Sequence, residues 1–143
     1  MNQEYLNGSG YPDPTPYEAF RAMEAGEKKA ARAFRPIVYI CSPYAGDVEA
    51  NVERARLYSR FAVESGCIPL AVHLLYPQFM NDEDPAERGL ALRFGNVLMG
   101  KCAQVWVFMG YGISAGMAGE IEHAQHKGYR LRYFDAECRE VLR

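Results

Sequence analysis

Ala103-Gln104-Val105-Trp106-Val107-Phe108-Met109-Gly110-Tyr111-Gly112-Ile113-Ser114-Ala115-Gly116-Met117-Ala118-Gly119-Glu120 decides the fold. Its opening, Ala103 to Met109, is a short apolar run of β-branched and aromatic residues and reads as a buried strand. Gly110 to Gly116 is a glycine-rich turn. The rest opens a helix predicted to run to Lys127, where Gly128 closes it. Gly112, Gly116 and Gly119 let the backbone approach a ligand, and a helix start offers unpaired N–H groups and a positive dipole end. Ser114 adds a hydroxyl. Glu120 follows closely enough for its carboxylate to reach the same space, although a Glu there also simply complements the dipole. The segment lacks the lysine of a phosphate-binding P-loop and does not match G-x-G-x-x-G.

The same alternation extends outward. Ile37-Val38-Tyr39-Ile40-Cys41, bounded by Pro36 and Pro43, reads as a second buried strand. A loop, Ser42 to Asp47, leads into a helix over about Val48–Ser65 with Val52, Ala55, Ser59 and Ala62 along one face, and Gly66 ends it. Cys67 to Val72 is the next predicted strand. His73 to Arg88 reads as a long loop, of a length that in a compact domain is functional or mobile. A helix from Pro85 to Lys101 follows. Tyr129 to Phe134 is a last strand, with a short C-terminal helix after it. Strands alternating with helices imply right-handed crossovers and a mostly parallel sheet covered on both faces, an α/β fold.

Residues 1–15, with Gly8, Gly10, Pro12, Asp13 and Pro14, read as loop. Thr15-Pro16 then starts an amphipathic helix to about Phe34 carrying Phe20, Met23 and Ala30, weakened by Gly26. Residues 1–35 are thus expected to be an N-terminal arm on a domain over 36–143. The whole chain has 143 residues, enough for one domain with a real core. Its net charge of −2, without charge blocks, argues against a nucleic-acid-binding domain. No apolar run approaches the ~20 residues of a membrane span, and Met1 to Tyr17 is polar, so a cytoplasmic location is expected. Cys41, Cys67, Cys102 and Cys138 lack zinc or redox spacing, so no metal site is expected.

In open parallel sheets ligands bind beyond the carboxyl ends of the strands. That rule selects Ser42 to Asp47, His73 to Tyr76 and Gly110 to Glu120, each suited to an oxygen-rich ligand. Ser42 to Asp47 also reads as a turn with an Asp helix cap. His73 is either an acid–base or stacking group or a hydrogen-bonded loop histidine. His123 and His126 fall on the helix exterior, and Trp106 reads as core.

Tyr39-Ile40-Cys41-Ser42-Pro43-Tyr44, followed by Ser114-x-Gly116-x-x-x-Glu120-Ile121-x-x-Ala124, resembles the nucleoside 2-deoxyribosyltransferase-like superfamily, which includes the (deoxy)nucleoside 5′-monophosphate N-glycosidases. The likeness runs from about Ile37 to Phe134. In Ser42-Pro43-Tyr44, Asp47, Asn51, the His73 segment, Trp106-Val107-Phe108 and Gly116-Met117 it is similar to a small branch found in phages and bacteria.

The resemblance implies a flavodoxin-like, Rossmann-like three-layer sandwich with a five-stranded mostly parallel sheet. It implies a glutamate that attacks the anomeric carbon, at Glu120, oriented by Tyr39. It implies contacts to a small-molecule nucleoside or nucleotide from Ser42, Pro43, Tyr44, Gly46, Asp47, His73, Ser114, Gly116 and Met117. No cofactor is implied. A homodimer or larger homo-oligomer is, and neither nucleic acid nor membrane is an expected partner. Ser114 stands where many transferases have Asp and the monophosphate hydrolases have Ser, which favours a nucleotide substrate and hydrolysis. Two departures accompany it. The family's assisting Asp falls on Asn96, which cannot accept a proton as a carboxylate does. The first-loop Arg of the hydrolases falls on Ala45, with Arg88 or Arg93 as candidate replacements, and Asp47 is a candidate for the missing acid. The implied activity is N-glycosidic bond cleavage. The alternative is a non-catalytic nucleotide-binding or sequestering protein that keeps the pocket.

Overall fold

The computed structural model describes residues 16–143; the sequence readings on residues 1–15 lie outside them. The described residues fall into two units, divided between Phe34 and Arg35. In the first, helix α1 spans Pro16–Arg32, begins on its proline and continues through Gly26, where an added Cβ would meet nothing among the described residues.

The second unit contains β1 (Ile37–Cys41), α2 (Val48–Glu64), β2 (Ile68–Leu70), α3 (Val72–Leu75), α4 (Pro85–Met99), β3 (Gln104–Phe108), α5 (Ala115–Lys127), β4 (Leu131–Phe134) and β5 (Glu140–Val141). The sheet order is β2-β1-β3-β4-β5. The first four strands are parallel and β5 pairs antiparallel with β4. This is a flavodoxin-like strand order with the last strand reversed. Among the described residues no helix is long and apolar enough to cross a membrane.

Strand side chains alternate between faces, and that alternation sorts the core into two layers. Val38, Ile40, Trp106, Phe108 and Phe134 face α2, where Tyr58 and Ala62 meet them. The Tyr58 and Phe108 rings stack at 4.1 Å. Trp106 is core, as expected, with its indole N–H donating to Gln104 at 2.9 Å. Tyr39, Cys41, Val105 and Val107 face the other way, toward Val72 of α3, Met99 of α4 and Met117 and Ala124 of α5. Burying the apolar residues of both layers supplies the main stabilisation, at ~25 cal/mol per Å² of apolar surface. Tyr39 therefore lies beneath α4 and α5, and that position builds the site.

Three expectations are corrected. The C-terminal residues form β5, not a helix. Asp135 accepts from the backbone N–H groups of Glu137 and Arg139, each at 2.9 Å, and this tight turn sends the chain back along β4. The second strand is shorter than Cys67–Val72, because Val72 already begins α3. The stretch after it is not all loop. It holds α3 and a 3-10 turn, Tyr76–Gln78, with Pro77 in its first turn.

Candidate active site

The strand order reverses between β1 and β3, and the loops leaving these two strands diverge around a crevice. The loop after β1 is braced from below. Buried Asn51 donates its amide to the carbonyl oxygens of Tyr44 (3.0 Å) and Ala45 (3.2 Å), and Asp47 caps α2 by accepting from Ala50 N–H. Gly46 takes a φ of +98°, a conformation open to glycine. After β3, Gly112 makes a similar left-handed turn at φ +90°. Ser114 then caps α5, its hydroxyl accepting from Met117 N–H at 3.2 Å.

Helix α5 turns Met117, Glu120 and Ala124 toward the sheet, an i, i+3, i+7 stripe. A carboxylate thus occupies a position that packing would fill with an apolar side chain. Glu120 is only 6% exposed. The Tyr39 hydroxyl hydrogen-bonds its carboxylate. His73 Nε2 stands 3.9 Å from Oε1, and Oε2 is buried without a hydrogen-bond partner. Burial pushes Glu120 up to about 7, with the Tyr39 hydrogen bond pulling against it. Burial, reinforced by the Glu120 charge, holds the Tyr39 phenol far above its ordinary value, so it stays a donor. Burial also lowers His73 below the usual imidazole value, opposed by the charge of Asp82. The His73–Glu120 approach is therefore not a fixed ion pair at neutral pH. The Tyr44 ring stacks on His73 at 5.0 Å and 12°, fixing the imidazole plane.

Glu120 lines two adjoining hollows. One encloses about 530 Å³ of atom-free space, partly open to solvent, and is lined by Tyr39, Tyr76, Pro77, Met80, Leu92 and Gly95 among others. The other lies over the start of α5, against Ala45, Ser114, Ala115, Gly116 and Met117. Tyr44, His73, Asp82, Arg88, Leu92 and Glu120 line both. A third hollow, with Pro43, Asp47, Asn51, Arg54 and Tyr111, shares Ala45 and Ser114 with the second.

The structure thus brings Tyr39, Tyr44, His73, Ser114, Gly116, Met117 and Glu120 around one crevice. Pro43 and Asp47 stand at its third compartment. Ser42, Gly46 and Asn96 line none of the three hollows. Ser42 is buried beneath the loop, and Gly46 is exposed at its tip. Asn96 follows Gly95, the residue that faces Tyr39, and one helical step of ~100° carries it off that face. Of the two arginines considered as replacements, Arg88 lines the crevice and Arg93 does not. His123 is half-buried against Tyr129, not freely solvated. Tyr76 lies in the selected segment after the second strand and does line the crevice, whereas sequence reading missed Met80, Leu92 and Gly95. The turn-rich segment around Asn81 to Arg88 signalled a loop, but not which side chains would face inward. Among the described residues no group of three metal-ligating side chains occurs.

Residues 36–134 match the family described as "Domain of unknown function (DUF7768)", and the chain belongs to it. No curated protein matches the chain in sequence. A solved structure of a 2-deoxyribosyltransferase from the psychrotolerant bacterium Bacillus psychrosaccharolyticus is similar in fold. The TM-score is 0.59 at 11% identity, over 75% of this chain and 77% of that one.

Proposed function

We propose that this member of the DUF7768 family cleaves the N-glycosidic bond of a nucleoside or nucleoside monophosphate, with Glu120 as nucleophile. One observation carries the reading: a carboxylate on the buried stripe of α5, hydrogen-bonded by Tyr39 at the edge of the crevice, with one oxygen, Oε2, buried without a hydrogen-bond partner. Leaving a buried oxygen unpaired costs about 1–3 kcal/mol, so its retention needs a use. The fold shared with a 2-deoxyribosyltransferase supports a sugar–base substrate.

The chemistry follows the two-step logic of a retaining glycosidase. A Glu120 carboxylate oxygen attacks C1′ as the C1′–N bond breaks. The bonding pair leaves on the base nitrogen, which takes up a proton from solvent. Water then attacks C1′, the bond from C1′ to the carboxylate oxygen breaks, and the carboxylate is restored. His73, neutral at pH 7 and beside Glu120, accepts the proton of that water and returns it to solvent. Tyr39 orients the carboxylate through its hydrogen bond. The apolar hollow under Tyr76 and Met80 takes the base, and the hollow over α5 takes the sugar. Hydrolysis and transfer differ only in whether water or a second base resolves the intermediate.

A second reading is a nucleotide-binding protein that does not turn its ligand over. Asn96, which lines no hollow, and Ala45, which brings no cation, favour it. Incubation with a panel of nucleosides and nucleoside monophosphates, with free base followed by chromatography, separates the two. The enzyme releases base, and Glu120→Gln abolishes the release. Nucleotide-dependent thermal stabilisation without release selects the binding protein.

A further inference from the structure

Helix α2 lays Asn51, Ala55, Tyr58 and Ala62 along its buried face. Ala55, Tyr58 and Ala62 pack as core, while Asn51 puts a carboxamide where an apolar side chain would sit. Asn51 is only 6% exposed, and a buried amide is retained where its hydrogen bonds are met. Here they are. Nδ2 donates to the carbonyl oxygens of Tyr44 and Ala45, and Oδ1 accepts from Arg54 Nη1 at 3.4 Å. An amide nitrogen turned toward the loop is the orientation that serves all three contacts. The Arg54 guanidinium lies over the Tyr111 ring, 3.6 Å from its centroid. Asn51 thus ties the loop after β1 to α2 and, through Arg54, to Tyr111 in the loop after β3.

The next contact reaches the reacting centre. Tyr44 stacks on His73, whose Nε2 is 3.9 Å from Glu120 Oε1. That separation is too long for a hydrogen bond. His73 sits on α3, a single turn of helix with no side-chain cap at its start. Among the described residues, the flat stack on Tyr44 is what fixes the plane of the imidazole, and the Tyr44 backbone is in turn held by Asn51. Asn51 itself lines neither hollow at Glu120, so any effect on the reaction passes through these neighbours.

We infer that Asn51 is a positioning residue, which holds Tyr44 in place and, through the Tyr44 stack, sets the imidazole of His73 beside Glu120. The part played by His73 comes from the proposed reaction; its placement by Asn51 stands on the contacts alone. In that reaction His73 serves the attack of water and not the attack of Glu120. A displaced imidazole therefore slows the second step and spares the first release of base.

Two measurements test this, in Asn51→Leu, which suits the apolar stripe of α2, and in Asn51→Asp, which keeps the shape without the donors and replaces Asn51→Leu should that variant not fold. The first is the NMR spectrum of the His73 ring protons, with His123 and His126 as internal references. Ring-current shielding by Tyr44 is expected in wild type, retained in Tyr44→Phe and lost in Tyr44→Leu. Loss of that shielding in the Asn51 variant supports the positioning, and full retention overturns it. The second is turnover. The Asn51 variant should lose about 10- to 100-fold in kcat, with the first-turnover burst of base kept. In a His73→Gln background the same substitution should cost less than about twofold. Equal losses in both backgrounds overturn the inference, because Asn51 then acts on the fold and not on His73. The NMR measurement needs no substrate. Lost shielding in the Asn51 variant together with no base release from wild type supports the positioning and sinks only the proposed reaction.

Discussion

Gly95 lies directly against the Tyr39 hydroxyl: a Cβ added there would stand 3.0 Å from the phenolic oxygen and 3.9 Å from Val72 Cγ2. The oxygen so crowded is the one that holds Glu120. Gly95→Ala adds helix propensity of about 1 kcal/mol, and the tight contact removes a similar amount. Net stability should barely move while kcat/KM falls about tenfold. In a Tyr39→Phe background, which lacks the crowded oxygen, the same substitution should cost less than about twofold. Equal losses in both backgrounds would show that Gly95 acts by another route.

Glu120 is ionised for attack, so kcat/KM should rise with pH through about 7. The Tyr39 hydrogen bond lowers the carboxyl pKa, so Tyr39→Phe should move that limb to higher pH. A limb that stays put in Tyr39→Phe rules out this coupling.

The same titration reaches stability. The folded-state pKa of Glu120 is raised from 4.5 to about 7. The native state therefore binds more protons than the unfolded state across that window. Stability from this group is fully present below pH 4.5 and is lost as pH rises toward 7. Glu120→Gln should gain on wild type across the window, reaching about 3 kcal/mol by pH 8. Denaturant melts at pH 4.5, 6 and 8 measure the difference, and a pH-independent gap contradicts a buried, titrating Glu120.

The sheet was legible because β1 and β3 are short, uninterrupted apolar runs, and Gly66 and Gly128 mark helix ends at left-handed φ values of +80° and +74°. β5 was not, since two residues carry no periodicity and their pairing depends on the Asp135 turn. Glu120 could be picked out beside its glycines, but its burial was hidden by its plausibility as a dipole partner. The spacing Met117, Glu120, Ala124 held the missing signal. Asp82 and Arg88 reach the crevice only through the path of the chain between α3 and α4, which local sequence does not specify.

His73 should titrate below 6.5, because burial opposes its charged form. Asp82 pushes the other way, so Asp82→Asn should lower the His73 pKa further. Imidazole shifts followed by NMR from pH 4.5 to 8 give both values. An unchanged or raised pKa in Asp82→Asn would mean that the two groups do not interact in solution.

The glycines of the β3–α5 segment serve separate ends, and substitution should separate them. A Cβ on Gly110 would overlap the backbone nitrogen and Cα of Ala136. Backbone cannot yield as a side-chain tip does, so Gly110→Ala should cost about 3 kcal/mol or more. Gly119, within α5, has nothing near its missing Cβ. Gly119→Ala should therefore stabilise by roughly 0.5–1 kcal/mol through helix propensity. Its neighbour Glu120 stays on the buried stripe, so base release should persist. If Gly119→Ala instead abolishes turnover while raising the Tm, the glycine is kept for substrate approach, as its place in the sequence first suggested.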